Sequence, residues 1–287
     1  MLRLAVATRG ETFDRLRDPL AERGIEVGHL RTRRRTIRLD GARDEFDVGL
    51  VFPPRLMEGG AAAALHGIPW VNGREAVLRS RNKAETYATL ATAGLPVPET
   101  RMVSNPADEA TLRAAVDGLD WPVVVKPNST TRGTGVVKVH DPDTYLGVTD
   151  YLGLVHDYRA TGDRSFLVQE YLPDARDYRV MVVGGDYAGA VERSLPDEAV
   201  AAGRWTHNVH RGATATGVEP PPAARELAEA AAAALEVEYL GVDLLATDDR
   251  LVVTETNARP TVDEATKYEP EFYDALAELI RERAENG

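Results

Sequence analysis

Apolar residues along the 287-residue chain recur in short runs broken by polar, glycine- and proline-bearing segments, and their spacing divides it into three blocks. In the first, to about residue 79, apolar runs at 2–7, 25–30, 47–52 and 69–72 alternate with helical patterns at 12–23 and 57–66. That alternation predicts a small open parallel sheet. The second block opens with a helix over 81–93, stopped by Gly94 with Pro96 and Pro98 behind it. Strands at 123–125 and 136–139 then flank a polar loop. The third block holds strands at 166–170, 179–183 and 188–191, a helix at 223–235, a strand pair at 241–246 and 251–256, and a terminal helix over 271–284. No internal repeat is visible, and the alanine run 230–234 is helix-forming sequence. The expected fold class is α/β, in two or three domains.

Composition narrows the class. An apolar fraction of 43% suffices for a sizeable core, and no apolar run approaches the ~18 residues of a membrane span. The absence of cysteine excludes disulfides, thiolate metal sites and a thiol nucleophile. With no leader-like pattern over 1–10, a soluble cytoplasmic protein is expected. A net charge of −12 argues against general affinity for nucleic acid. Arginine is abundant, but lysine occurs only at Lys83, Lys126, Lys138 and Lys267. Such a surface suits a halophile, where salt screens repulsion among carboxylates, and equally a genome that favours Arg and Ala codons. In either case a lysine inside a motif is informative.

Two segments carry candidate chemistry. Trp121-Pro-Val-Val-Val-Lys-Pro127 runs into Asn128-Ser-Thr-Thr-Arg-Gly-Thr-Gly135. A buried strand delivers Lys126, and the loop offers backbone N–H groups and the hydroxyls of Ser129, Thr130 and Thr131 to phosphate oxygens. Gly133 and Gly135 permit close approach. The loop is not of Walker A type, and a flexible hairpin with a structural lysine fits the same residues. In the second segment Glu255 and Asn257 lie two apart and share a strand face. A three-residue turn around 248–250 pairs Asp243 with Glu255, whereas a four-residue turn pairs Asp243 with Thr254. Asp243, Glu255 and Asn257 on one face suit Mg²⁺ at ~2.1 Å, with phosphates and waters completing its shell. Two solvated acidic positions are the plainer alternative.

Further motifs stand in order around these: Ser80-Arg-Asn-Lys83, Gly94-Leu-Pro-Val-Pro-Glu-Thr100, Gln169-Glu-Tyr-Leu172, Asp177-Tyr-Arg179 and Trp205-Thr-His-Asn-Val-His-Arg-Gly212. Over about residues 80–260 the chain resembles the ATP-grasp ligases, and within them the RimK-like and LysX-like glutamate or amino-acid ligases. The resemblance implies an N-terminal α/β domain at 1–79 and a two-lobed ATP-grasp fold of α+β character. The central lobe would span 80–168 and the C-terminal lobe 169–287. It implies ATP held by Lys83, Lys126, Ser129, Thr130, Thr131, Gly133 and Gly135, adenine at the hinge Gln169, Glu170, Tyr171 and Leu172, and ribose at Asp177. Val124, Leu167, Val168 and Leu244 are expected to sandwich the ring. Asp243, Glu255 and Asn257 would hold Mg²⁺, with Mn²⁺ as a substitute.

Arg193, Asn208 and Arg211 form the expected catalytic set, the guanidinium forks fitting a γ-phosphate or a carboxylate. His207 and His210 are expected to be ordinary loop residues. The implied reaction joins a small-molecule or peptide carboxylate to an amine through an acyl-phosphate, with no nucleic acid or membrane partner and homo-oligomerisation left open. An ATP-grasp-like phosphotransferase and a nucleotide-binding regulatory module are the alternatives. The chain departs from the family pattern at Asn82, at Thr206-His207, and at Asn257-Ala-Arg-Pro-Thr261, which sets Arg259 near the substrate end. Arg31-Thr-Arg-Arg-Arg35 and Arg38 either receive an acidic substrate or are solvated.

Overall fold

The computed structural model describes residues 1–287 apart from 8–9, 35, 131–132, 156–162, 208, 210–211 and 263–266. The expected site residues Thr131, Asn208 and Arg211, with His210, therefore lie outside the described residues.

The first block forms β1 (Leu2–Val6), α1 (Gly10–Glu22), β2 (Ile25–His29), β3 (Val48–Leu50) and α2 (Leu56–His66). β1 is central and parallel to both neighbours, with Leu4 beside Val27 and Val48. The expected strand at 69–72 is reduced to one parallel bridge between Gly49 and Trp70. The single helix expected over 81–93 is also corrected. α3 (Arg74–Arg81) and α4 (Lys83–Thr92) break at Asn82, which is extended at φ −83°, ψ 91°. Asn82 caps α4 by accepting from Glu85 N at 3.3 Å, which is why a new helix starts there.

The central lobe contains β4 (Thr100–Ser104), α5 (Glu109–Ala114), β5 (Val123–Pro127), β6 (Val137–Val139), α6 (Pro142–Val155) and β7 (Ser165–Glu170). Its antiparallel sheet runs β4-β7-β5-β6, so β7 lies inside this lobe and carries Gln169 and Glu170 with it. Side chains alternate across the sheet. Val123, Val125, Phe166 and Val168 pack with Leu112, Tyr145 and Leu152 beneath it. Val124, Lys126, Leu167 and Gln169 take the opposite face, toward a cleft.

The third block supplies β8 (Arg176–Val183), β9 (Asp186–Ser194), α7 (Asp197–Ala201), β10 (Thr214–Gly217), α8 (Pro222–Leu235), β11 (Tyr239–Ala246), β12 (Leu251–Asn257) and α9 (Phe272–Glu285). Its antiparallel sheet runs β10-β9-β8-β11-β12. α8 buries Ala224, Ala228, Ala231 and Leu235 against Tyr178, Val180, Val182, Val242 and Leu244 on one face. That leaves the other face of the same strands for polar chemistry. α9 returns to the N-terminal sheet, where Leu276 and Ile280 share a core with Leu4, Leu16 and Leu50, and with Met181 and Val183 of β8. Among the described residues no helix is long and apolar enough to cross a membrane.

Candidate active site

The β11–β12 connection has four residues, 247–250, which corrects the expected turn of three: Ala246 stands beside Leu251 and Leu244 beside Val253. Continued unbroken, that ladder puts Thr254 beside Asp243 and turns Glu255 toward α8. A β-bulge at Thr254 takes up the extra residue. Asp243 consequently stands beside Glu255, and Gly241 beside Asn257. The expected pairing is present, produced by the bulge.

Across the sheet from Glu255, charge alternates. Asp243 neighbours Arg179 of β8, and Asp177 neighbours Arg193 of β9. Arg179 donates to both Asp243 oxygens, Nε to Oδ1 at 2.6 Å and Nη2 to Oδ2 at 2.8 Å. Arg193 Nη2 lies 2.5 Å from Asp177 Oδ1 and 3.0 Å from Asp243 Oδ2. Burial opposes ionisation of Asp243, but Arg179 and Arg193 outweigh it and hold the carboxyl below its ordinary range. His207 Nδ1 lies 3.4 Å from Asp177 Oδ2, so this histidine belongs to the network. Arg193 sits within β9, where the sequence pattern put it after the strand. Arg179 had no expected role; its signal was the two-residue spacing from Asp177, which sets both on one face.

Two lysines reach the same point, Lys83 from α4, whose Leu90 packs in the core beneath α8, and Lys126 from β5 of the central sheet. Lys83, the first residue of α4, is buried, donates to Thr130 O and lies 3.6 Å from Glu255 Oε1. It links the loop after β5 to β12. Lys126 is enclosed and donates to Tyr87 Oη at 2.8 Å and Gln169 Oε1 at 3.0 Å. Burial pushes its ammonium down to about 8, with Glu255 pulling the other way. Tyr87 donates onward to Thr254 O at the bulge, tying Lys126 to the strand of Glu255. Its spacing of four from Lys83 was the signal for this missed residue. The start of α4 is closed by Asn128, whose Oδ1 accepts from Ala84 N at 2.8 Å and whose Nδ2 donates to Asn82 Oδ1 at 2.8 Å.

In the loop itself, Ser129 Oγ is buried with no partner among the described residues, and such groups are rare in folded proteins. Thr130 Oγ1 donates to Thr134 O at 2.8 Å. Gly133 and Gly135 take positive φ, 65° and 77°, and a Cβ on Gly135 would stand 2.9 Å from Pro127. Glycine is required there on both counts.

The hinge is tied down. Glu170 accepts from Arg250 through both oxygens at 2.8 Å and from Glu99 N at 2.7 Å, and the Arg250 bonds hold its carboxyl below the ordinary range. Its side chain therefore braces the β11–β12 turn. Tyr171 and Leu172 are half-buried, and the Lys138 ammonium lies 4.5 Å from the Tyr171 ring centre. Two of the expected adenine contacts are corrected. Val168 lies in the core beneath the central sheet and Leu244 in the core beneath α8, because strand alternation turns both away from the cleft. Val124 and Leu167 remain on the cleft face, and Leu245, one residue from the expected position, joins Asp243 on that side.

Residues 80–280 match the RimK-like ATP-grasp domain, more than half of the chain. The chain belongs to the RimK-like ATP-grasp family. It is 34% identical over 193 residues to a probable alpha-L-glutamate ligase of Enterobacter sp. (strain 638) and 33% identical over 193 residues to a ribosomal protein bS6–L-glutamate ligase of Shigella boydii. Each match covers 66% of this chain and 59% of the relative, so the matched region spans about three fifths of those proteins' length. Among solved structures, an RimK domain ATP-grasp protein from Sphaerobacter thermophilus aligns with a TM-score of 0.67 at 22% identity, covering 97% of this chain and 99% of that one. The D-cycloserine synthetase DcsG aligns at 0.77 and 18% identity, covering 98% and 99%. These two likenesses show that the fold extends over nearly the whole chain. The mixed α/β architecture expected from the sequence is thus the ATP-grasp fold.

Proposed function

We propose that the chain is an ATP-dependent ligase that phosphorylates a substrate carboxylate and then joins the acyl group to an amine. The observation that carries this reading is the meeting of two lobes at one point. Lys83 touches both the phosphate loop at Thr130 and Glu255 on the oxygen-bearing strand. Lys126 lies behind it, with the unmet Ser129 hydroxyl in the same loop.

The donor set fits a hard divalent cation. Asp243, Glu255 and Asn257 offer oxygen atoms only, and among the described residues no three His, Cys, Asp or Glu side chains are placed to hold a metal ion by themselves. Two carboxylates and an amide oxygen need phosphate oxygens to complete an octahedron, which suits Mg²⁺ or Mn²⁺ arriving with a nucleotide. When bound, the metal neutralises charge on the transferring phosphoryl oxygens. Lys83 and Lys126 add point charges from two separate elements, and Arg193 presents a planar fork held in place by Asp177 and Asp243. The lobes hold nucleotide and carboxylate in line, so positioning and charge neutralisation carry the catalysis. The amine then attacks the acyl carbon and phosphate leaves.

Both named relatives are glutamate ligases, which makes glutamate the first substrate to test. Nothing in the site favours a phosphotransferase or a turnover-free regulatory module. The test is ADP release across paired acids and amines, glutamate included, with mass analysis of products. An amide formed in step with ADP supports the ligase. A phosphorylated end product, or nucleotide binding without turnover over the whole panel, removes it.

A further inference from the structure

The sequence departs from the family pattern at Arg259, and the structure places that residue at an unusual point. In a parallel sheet ordered β2-β1-β3 the chain reverses direction between β1 and β3. Ligands of open α/β sheets bind in the crevice outside the carboxyl ends of the strands at such a switch point. Arg259 fills that crevice. Its Nη2 donates to Ala7 O at 2.8 Å, just beyond β1, and its Nη1 donates to Phe52 O, just beyond β3. Its backbone N donates to Asn257 Oδ1 at 2.9 Å, connecting it to the candidate metal set.

Those two carbonyls occupy two of the five N–H donors a guanidinium carries. Among the described residues, Arg259 forms no ion pair, and the charged groups that act on it are Arg81 and Arg33. Arg81 is half-buried and donates to Pro54 O at 3.2 Å, on the segment that follows β3. Arg33 belongs to the arginine cluster after β2 and is exposed. Neither has an ion-pair partner among the described residues. α1 and α2 both start at this carboxyl edge, at Gly10 and Leu56, adding the positive ends of their dipoles. The backbone is strained at the same place: Val51 has φ 62°, a left-handed conformation that β-branched residues rarely adopt. Strain of this kind collects at functional sites.

The described carboxylate that Arg33 acts on, Glu58, is already paired with Arg55 at 3.0 Å, so among the described residues three guanidinium groups here are a structural cost unless an anion answers them. We infer that Arg259, with Arg81 and Arg33, binds a carboxylate of the amino-acid substrate that is not itself activated, and so selects an acidic substrate. The bend after β12 brings Arg259 N onto Asn257 Oδ1, so one end of the molecule sits at the metal set and its other carboxylate at Arg259. The inference rests on the ligase reading, since it treats the neighbouring strand as the reaction centre.

The experiment is calorimetric titration of the full chain, saturated with Mg²⁺ and a non-hydrolysable ATP analogue, with L-glutamate, L-glutamine and L-isoglutamine. Losing one charge-assisted contact weakens binding about 10- to 100-fold. Recognition of the side-chain carboxylate predicts that loss for glutamine, and recognition of the α-carboxylate predicts it for isoglutamine. Arg259→Met should erase whichever preference is seen, while Arg259→Lys retains part of it. Arg33→Ser, on an exposed residue, should weaken glutamate by a few-fold (about 2–5) even if Arg259→Met fails to fold. Binding of the analogue in the same titrations separates the two claims: loss of nucleotide binding sinks the ligase reading. Nucleotide binding with no glutamate binding, or with glutamate affinity unchanged in Arg259→Met and Arg33→Ser, overturns the carboxylate site alone.

Discussion

Lys126 shows how a single residue can set the working range of the site. Its ammonium is enclosed, and burial holds its folded-state value near 8 against 10.5 for a free lysine. Below pH 8 the residue is protonated both folded and unfolded, so the cost of burying the charge is fully present. As pH rises from about 8 toward 10.5, the folded protein releases its proton first and stability rises. Phosphate binding needs the charged form and runs the other way. Affinity for a non-hydrolysable ATP analogue should fall by up to about tenfold per pH unit above pH 8, and this break should vanish in Lys126→Met. An affinity unchanged from about pH 7 to about pH 10 contradicts the assignment of Lys126 to the nucleotide. Glu255 is a second test. Glu255→Gln keeps the shape and removes the partner of Lys83, a pair at 3.6 Å with Glu255 one third exposed. Stability should drop by no more than about 1 kcal/mol, while ADP release falls at least ~100-fold. Near-normal turnover of the variant removes Glu255 from the site, and loss of folding makes it structural.

At the scale of elements, the geometry depends on two irregularities. The bulge at Thr254 turns Glu255 and Asn257 from the face covered by α8 to the cleft, and Tyr87 fastens it by donating to Thr254 O. The break at Asn82 starts a new helix on Lys83, and Asn82 and Asn128 together cap it. Asn82→Ala should cost ~1 kcal/mol in chemical denaturation and weaken nucleotide binding, because the cap joins α4 to the phosphate loop. An unchanged denaturation midpoint contradicts that coupling. These irregularities also mark where the sequence was readable. Val124 and Leu167 were legible on the cleft face, but Leu244 was expected there although Leu245 occupies it. Apolar runs on both strands show burial on either face equally, so they do not reveal which side is the cleft. The bulge left no trace in composition, and the Asp243–Glu255 pairing was expected from a different turn. β4 was missed because its Thr-Arg-Met-Val-Ser run buries a single residue, and α6 because Gly147 and Gly153 interrupt its pattern. Lys83 and Lys126 were legible because lysine is scarce.

For the whole molecule, the N-terminal sheet and the carboxyl-terminal helix share one core with Met181 of β8 and Tyr239 of β11, so the crevice at Arg259 and the strands that carry Arg179 and Asp243 belong to one packed body. Around that body lies a net charge of −12. Exposed pairs such as Arg38–Asp40 and Arg17–Asp18 stand in solvent and contribute little, so screening them costs little. Screening the excess carboxylates gains more, since the Debye length is ~3 Å at molar salt. The melting temperature should therefore rise in molar KCl, and a melting temperature independent of KCl contradicts a salt-adapted surface. The central claim is that a substrate carboxylate takes the γ-phosphoryl group of ATP at the junction of Lys83, Lys126 and Glu255 before an amine displaces phosphate. It is tested most directly by supplying the acid with a heavy-oxygen label in its carboxylate and following the label by mass spectrometry. The account predicts one labelled oxygen in the released inorganic phosphate for each amide formed, with ADP as the other product. Unlabelled phosphate, or label carried into AMP, contradicts it.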